Sequence, residues 1–333
     1  MAPFVTVVVT TYNQESLIEA TVQSALAQTY QHREVIVVDD GSTDATPARL
    51  AAFGDRIVYV RRKNGGVAES RNTGVRKARG DLVAFLDGDD LWEPDKLAAQ
   101  VEAHRRFPHA GMIVVDACSF NGADVIHPST LNCAADDFIA SFSDVLVCTP
   151  SYDALLPHNF IMTTSQVMVP AKVLAEVGFS DSSLRIGSDY DLYMRIARRY
   201  ELAFVQRVLT RWRYSPTSVS GPAALRPFRC GVEEIKVLRK QLAGAVPEIR
   251  HTVLALMRKK SWITAREAYY YGLETDRAFS RRFLPGLWHA NRRSIWPLIY
   301  WTALMHPPEM QATLKSLFNI LVPRRRRRFP EAS

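Results

Sequence analysis

Three sets of carboxylates have the spacing to do chemistry together: Asp39-Asp40, the cluster Asp87-Gly88-Asp89-Asp90, and the pair Asp189 and Asp191. The middle set is the densest. Leu82-Val83-Ala84-Phe85-Leu86 runs straight into it, and Leu91-Trp92 follows. Carboxylates this close repel one another unless a cation neutralises them. Hard oxygen ligands suit Mg²⁺ or Mn²⁺, which take one or two carboxylates and share the oxygens of a phosphate-bearing substrate. Read alone, the same residues also suit a solvated acidic turn.

The elements that must position these residues alternate. Short apolar runs at 4–10, 35–38, 57–60 and 82–86 read as buried strands. Helical patterns at 16–28, 45–52, 67–78 and 93–107 separate or follow them, with Ser42, Thr43 or Asp44 available to cap the second and Pro94 at an early position of the fourth. Such alternation predicts an α/β domain, a Rossmann-like and mostly parallel sheet flanked by helices. Ligands bind such sheets at the carboxyl ends of the strands, so both acidic clusters fall at one rim and point to a nucleotide site.

Further along, 112–117 reads as a strand, and 118–158 as an irregular binding loop or lid rich in Asp, Ser and Pro. Residues 160–169 are β-like, 173–179 is a short helix ending on Gly178, and 188–199 is helical. Two closing strands are expected at 202–205 and 208–213. Pro216, Gly221, Pro222 and Pro227 mark a boundary, dividing a domain at 1–220 from a helical C-terminal extension at 221–333. Helices are expected there at 232–242, 249–260 and 263–273.

The chain has 333 residues, 47% of them hydrophobic, as in a globular protein. Its net charge of +8 hides an asymmetry. Residues 1–225 hold 21 Lys and Arg against 26 Asp and Glu, whereas 226–333 hold 21 against 8, so the two parts carry −5 and +13. The basic part includes two apolar stretches beside arginines. One is 295–305, rich in Trp and Tyr, after Arg292 and Arg293. The other carries Leu314, Leu317, Phe318 and Leu321 at helical spacing and ends at Arg324–Arg328. This pattern suits the surface of an anionic membrane; a helical lid with an arginine tail is the alternative. No nucleic-acid reading module accompanies the basic run, so no nucleic-acid partner is expected. The N-terminus does not read as a signal peptide, and no apolar run is long enough to span a bilayer. A cytoplasmic protein, peripheral at the inner face of the cell membrane, is expected. Cys118, Cys133, Cys148 and Cys230 form no Cys-x-x-Cys pair, which argues against a zinc site and fits reduced thiols.

Five motifs in order resemble family 2 glycosyltransferases, inverting enzymes of the GT-A fold. They are Val9-Thr10-Thr11-Tyr12-Asn13-Gln14-Glu15, 37–44 around Asp39-Asp40-Gly41-Ser42, 64–74 around Glu69-Ser70-Arg71-Asn72, 85–90 ending in Asp87-Gly88-Asp89-Asp90, and 187–192 around Ser188-Asp189. The resemblance covers about 5–220. It implies that Thr11, Tyr12, Asn13 and Glu15 hold the nucleotide and that Asp39 accepts from the base, typically uracil N3–H. It implies Arg71 near the base or diphosphate, Asp87 and Gly88 near the ribose and donor sugar, and Asp89 on a Mg²⁺ or Mn²⁺ ion. Asp189 is then the general base that takes the acceptor's proton. Asp90 supports the turn, Asp191 orients Arg195 or a backbone amide, and Arg213 or Arg211 is available to supply positive charge. The implied substrates are a nucleotide-diphosphate sugar, UDP-linked in the family's usual manner, and a glycan or lipid-linked acceptor.

The sequence departs from the family at Ser188, where glutamate is usual, and at Ser215, where a histidine often stands. A non-catalytic sugar-nucleotide binder would show the same motifs. A sugar-1-phosphate nucleotidyltransferase would carry a Gly-rich loop where this chain has Thr10-Thr11-Tyr12-Asn13. An Asp-x-Asp-x-Thr phosphatase is excluded by Leu91, and an EF-hand by the lack of a twelve-residue ligand loop after Asp87.

Overall fold

β-Branched and aromatic residues pack well on a pleated surface, and the valine-rich segments of this chain form strands accordingly. The computed structural model describes residues 2–131, 138, 145–157, 159–184, 186–214, 226–275, 277–292, 294 and 296–305. Contacts divide the chain into two compact units, Met1–Ala223 and Ala224–Ser333.

The first unit begins β1 (Val5–Thr11), α1 (Ile18–Leu26), β2 (Arg33–Asp39), α2 (Thr46–Ala51), β3 (Val58–Arg61), α3 (Val67–Lys77) and β4 (Leu82–Asp87). It continues β5 (Leu91–Trp92), α4 (Lys96–Arg106), β6 (Met112–Asn121), β7 (Asp124–His127), β8 (Leu146–Thr149) and α5 (Tyr152–Leu155). The remainder is β9 (Val167–Pro170), α6 (Ala171–Val177), α7 (Ser188–Ala197) and β10 (Leu202–Arg213). The strands form one sheet in the order β3-β2-β1-β4-β9-β6-β10-β5, with β7 on β6 and β8 on β10. β1 runs parallel to β2 and β4, β2 to β3, and β6 to β10. β9 is antiparallel to both β4 and β6, so β1 to β4, β6 and β10 all share one direction.

Register brings the acidic residues together. Thr11 is opposite Asp39 and Thr10 opposite Asp87, so β1, β2 and β4 end side by side. One face of β1 joins Val5, Val7 and Val9 to Ile18 and Val22 of α1 and to Leu97 and Val101 of α4 in the main core. On the other face α3 lies close, because a Cβ on Gly74 would stand 2.2 Å from Val8 Cγ1. That approach, one turn beyond Arg71, seats the arginine against the sheet.

Several boundaries differ from expectation. α4 starts at Lys96, leaving Pro94 outside the helix. The residue capping α2 is Ala45, while Asp44 accepts from the Thr46 N–H at 3.0 Å. The β-like 160–169 divides into a tight 3₁₀ turn, Thr164–Gln166, and β9. The two closing strands are one strand, β10, with register irregularities against β6 between Val205 and Thr210. Segment 118–158 is more ordered than expected, since it contains the end of β6, β7, β8 and α5. Ser215 and the boundary at 220 lie outside the described residues.

The second unit is helical: α8 (Arg226–Lys240), α9 (Pro247–Glu274), α10 (Arg277–Ala290) and α11 (Trp296–Met305). Two helices expected at 249–273 are one, because nothing between them breaks the backbone hydrogen bonding. The aromatic stretch expected to face a membrane packs inward. Trp296 meets Trp262 at 6.5 Å and Tyr300 meets Tyr269 at 5.2 Å, and Tyr300 is buried. Among the described residues no helix is long and apolar enough to cross a membrane. The apolar spacing at 314–321 and the run Arg324–Arg328 lie outside the described residues.

One core residue has a testable signature. Lys96 is fully buried, with its Nζ 2.7 Å from Gln100 Oε1 and 3.9 Å from the Trp92 ring centroid, and burial pushes its pKa well down. A depressed lysine pKa means that the unfolded chain binds the extra proton below about pH 10, so stability rises with pH toward that value. We expect wild type to gain stability relative to Lys96→Met as pH rises toward about 10, at up to about 1.4 kcal/mol per pH unit. Denaturant titrations of both proteins across that range test this, and a pH-independent difference would refute it.

Candidate active site

The rim is built around Asp87. Its Oδ1 accepts from Arg71 Nη2 at 2.7 Å and its Oδ2 from Thr164 Oγ1 at 2.9 Å. The Asp87 N–H donates to Ser165 Oγ at 3.0 Å. Gly88 follows, its N–H donating to Thr10 O at 2.9 Å, in a place with no room for a side chain. A Cβ there would lie 2.1 Å from Gln14 Oε1 and 2.9 Å from Thr10 O.

Asp90 turns back into the protein and is fully buried. It accepts from Thr163 Oγ1 at 2.8 Å, from Ser165 Oγ at 2.6 Å and from the Arg213 N–H at 2.9 Å. Arg213 Nε donates to the Asp89 carbonyl at 2.9 Å, and its guanidinium lies 4.5 Å from the Phe120 ring. Asp90 thus ties the acidic turn to the 3₁₀ turn and to the end of β10. Thr163 and Ser165 carry no sequence signal for this role, because they stand more than seventy residues from their partner.

Asp89 is half-buried. Burial, then the neighbouring Asp87 charge, push its pKa up to about 6, with Arg213 and Gln14 opposing. Burial and the charges of Asp89 and Asp87 also push Asp90 well up. Part of each rise comes from the neighbouring carboxylates, so a cation at the rim would favour their ionised forms. The rim's hard oxygen donors fit a divalent cation taking one or two carboxylates and its other ligands from phosphate and water. Among the described residues the rim has no preformed three-ligand cage.

The two loops beside this turn hold each other. Asn13, at φ 51, accepts on Oδ1 from the Thr43 N–H at 2.8 Å, and its own N–H donates to Ser42 Oγ at 3.0 Å. Glu15 Oε2 accepts from the Ala45 N–H at 2.7 Å, and Thr11 Oγ1 donates to Gln14 Oε1 at 2.9 Å. Tyr12 alone of this group turns a large apolar surface outward. Asp39 is closed off from solvent: the Ser42 N–H donates to its Oδ1 at 2.8 Å and the Tyr59 hydroxyl to its Oδ2 at 2.7 Å. Burial and that carboxylate push Tyr59 up to about 12. Asp40 pairs with Arg62 and receives the Gly66 N–H at 2.7 Å, fixing the entry to α3.

Opposite stands Asp189 in the first turn of α7, accepting from the Tyr190 N–H at 2.7 Å. Burial raises its pKa, while Arg71 pulls it down and Asp87 adds to the rise. Burial works against the Arg71 charge, but Asp87 and Asp189 outweigh it and raise the guanidinium pKa. Arg71 is therefore the shared counter-ion of both carboxylates. Tyr193, one turn on from Asp189, is fully buried; burial and Asp189 push its hydroxyl well up, and among the described residues that hydroxyl has no hydrogen-bond partner. Spacing from Asp189 was the one sequence signal for Tyr193.

Asp191 points the other way. Its Oδ2 accepts from Arg195 Nε at 2.9 Å, and Arg195 in turn donates to the carbonyls of Val177, Gly178 and Phe179. Asn72 exchanges two bonds with the Ser180 backbone, at 2.9 and 3.0 Å. So α3, which carries Arg71, and α7, which carries Asp189, are tied to the same connecting loop.

Residues 6–150 match the model of Glycosyl transferase family 2. Over that segment the chain is similar to family 2 glycosyltransferases. An uncharacterized glycosyltransferase of Rickettsia typhi is 28% identical over 222 residues, covering 67% of each chain. In longer Rickettsia relatives the match spans only 37% or 30% of the relative's length. A Bacillus subtilis glycosyltransferase whose name links it to teichuronic acid biosynthesis is 43% identical over 105 residues, 30% of this chain and 41% of that one. The crystal structure of S. aureus TarS 1-349 in complex with UDP-GlcNAc superposes with a TM-score of 0.64 at 14% identity, covering 94% of this chain and 92% of that one. The fold is that of a GT-A glycosyltransferase, followed by C-terminal helices.

Gly88 gives a direct test of how tightly this rim is packed. Gly88→Ala must expel Gln14 from Thr11 and still press on the Thr10 carbonyl. We expect a loss of about 1–3 kcal/mol, as for overpacking. The double variant Gly88→Ala, Gln14→Ala should recover only part of it, because Thr10 O remains 2.9 Å from the new methyl. Full recovery in chemical denaturation would show that the backbone carbonyl is not limiting.

Proposed function

We propose that this domain transfers a sugar with inversion from a UDP-sugar to a hydroxyl of a cell-surface glycan or lipid-linked precursor. The observation that carries the reading is the convergence, at one sheet rim, of Asp87, Asp89 and Arg71 with Asp189 across from them. Asp39 suits a uracil N3–H, since a carboxylate only accepts, and the base reaches it when the Tyr59 hydroxyl swings away. Tyr12 offers its exposed ring to the base. Asn13, Glu15 and Thr11 hold the loops that frame it. Asp87 and the backbone at Gly88 face the ribose and the donor sugar.

Asp89, with Asp87 beside it, would hold Mg²⁺ or Mn²⁺. That ion would offset the charge that develops on the departing diphosphate. Arg71 and Arg213 add fixed positive charge on the same side, set in place before the reaction. The acceptor hydroxyl must lose its proton as the new bond forms, and Asp189 takes it as general base. Its raised pKa makes it a stronger base than an ordinary carboxylate. Arg71 opposes that rise. Tyr193 lies close enough to sense that charge, and its free hydroxyl is available to donate to it once the site closes.

Asp189→Asn should reduce transfer by about 10²–10⁴-fold, the usual weight of a positioned base, while UDP-sugar still raises the melting temperature. Because the base works only when ionised and its pKa is raised, wild-type turnover should fall with acid at a pH above the ordinary carboxylate value near 4. EDTA should abolish transfer and Mn²⁺ restore it. Full activity of Asp189→Asn would remove Asp189 from the role of base, and full activity in EDTA would remove the cation from Asp89.

We further propose that the basic C-terminal region holds the enzyme at the inner face of the cell membrane. Trp296 and Tyr300 are committed to internal packing, so the sequence 306–333 with its five consecutive arginines supports this reading. A chain ending at Met305 should lose most of its co-sedimentation with vesicles containing anionic lipid, and the loss should match the effect of raised salt on the full chain. Undiminished sedimentation of the shortened chain would sink the proposal.

A further inference from the structure

At the other end of the sheet, three side chains from separate segments meet. His109 lies between α4 and β6, Cys148 is on β8, and Glu201 immediately precedes β10. His109 Nε2 is 3.0 Å from Glu201 Oε2, Cys148 Sγ is 3.7 Å from the same nitrogen, and it is 3.6 Å from the same oxygen. All three ligand atoms lie within 4.8 Å of one another. Tetrahedral zinc binds sulfur at about 2.3 Å and nitrogen or oxygen at about 2.0–2.1 Å, which makes ligand-to-ligand edges of about 3.5 Å to sulfur and about 3.3 Å between nitrogen and oxygen. The observed triangle matches each edge to within about 0.3 Å of that geometry.

The backbone already holds the triangle in shape. β8 pairs antiparallel with β10, setting Cys148 opposite Ala203 and Thr149 opposite Leu202. The Gly111 N–H donates to the Glu201 carbonyl at 2.9 Å, which fixes the turn carrying His109. Phe107 packs edge-on to the His109 ring. Cys148 packs against the main core on its other side, whereas His109 faces solvent, so an ion can enter. The charges also close: one thiolate, one carboxylate and a neutral imidazole offset a divalent cation.

We propose that His109, Cys148 and Glu201 form a zinc site, with water as fourth ligand, that clamps β8 onto β10 at the end of the sheet opposite the acidic rim. The site is separate from the donor site, because Glu201 precedes β10 and Arg213 ends it. The lack of a Cys-x-x-Cys pair excludes only paired-thiolate sites. Without the ion, burial and the Glu201 charge push the Cys148 thiol up to about 12, so binding releases its proton to solvent and leaves a thiolate on the metal.

Co²⁺ is the probe, because a thiolate ligand gives it a near-ultraviolet charge-transfer band that carboxylates and imidazoles do not. The full chain titrated with Co²⁺ should develop that band at one equivalent and lose it on addition of Zn²⁺. Cys148→Ser should lack the band, and His109→Ala should weaken Zn²⁺ binding by at least about a hundredfold, the upper end of what a supporting group alone contributes. Asp89→Asn should leave the band intact, separating it from any ion at the catalytic rim. Zn²⁺ should raise the melting temperature of wild type more than that of Cys148→Ser, whose circular dichroism spectrum reports that it folds. Absence of the band in wild type, or its persistence in Cys148→Ser, would overturn the proposal.

Discussion

The ion pair between Arg71 and Asp87 is the constraint on which the site depends. A guanidinium stays charged in any protein environment, so a buried arginine must be surrounded by acceptors. Arg71 finds one in Asp87 at 2.7 Å and lies in the field of Asp189, while its Nε has no hydrogen-bond partner among the described residues. Breaking a buried pair by removing one partner typically costs about 3–5 kcal/mol, since the other charge is left alone. The fold bears this cost only if α3 lies against β1 and α7 lies near α3. Gly74 permits the first approach, and the bonds between Asn72 and Ser180 secure the second. The positions of Asp87 and Asp189 are thereby linked through one cation.

That linkage has a chemical consequence. On the proposed reading, the leaving group and the attacking hydroxyl react on opposite faces of one carbon, so their protein partners must keep a fixed separation. Arg71 then holds the two carboxylates, Asp87 and Asp189, in one electrostatic unit. It also opposes the burial that raises the Asp189 pKa. Because Arg71 is fixed by the fold beside both carboxylates, its charge does not have to be brought in during the proposed reaction.

Much of this was legible in the sequence because the informative segments are local. Each of β1, β2 and β4 is a bounded apolar run that ends in its functional residues, and parallel register then delivers Thr11, Asp39 and Asp87 to one rim without further information. The supports were not legible, because they are bonds between residues far apart. Asp90 depends on Thr163, Ser165 and Arg213, and no short motif records that. The polar 3₁₀ turn at Thr164–Gln166 read as part of a strand because Phe160, Ile161 and Val167 to Val169 surround it with β-forming residues. The Trp296 to Tyr300 face read as an interfacial surface, since amphipathic spacing does not say whether a membrane or Trp262 and Tyr269 cover it. His109, Cys148 and Glu201 lie 39 and 53 residues apart along the chain and join only through the pairing of β8 with β10.

β10 connects the two ends of the domain. At its far end the Arg213 N–H is held by Asp90 and its side chain by the Asp89 carbonyl and Phe120. At its start Glu201 holds the turn before β6 through the Gly111 N–H. Between these anchors the register against β6 shifts twice, where Val205, Val208 and Thr210 depart from regular pairing. A strand with such irregularities bends and twists more than a regular one, so its two ends need independent restraints to hold a side chain in place. A metal clamp at the start and a buried carboxylate at the finish supply them. The placement of Arg213 beside the acidic turn then depends on both ends of the strand, since a side chain is only as well placed as the element that carries it.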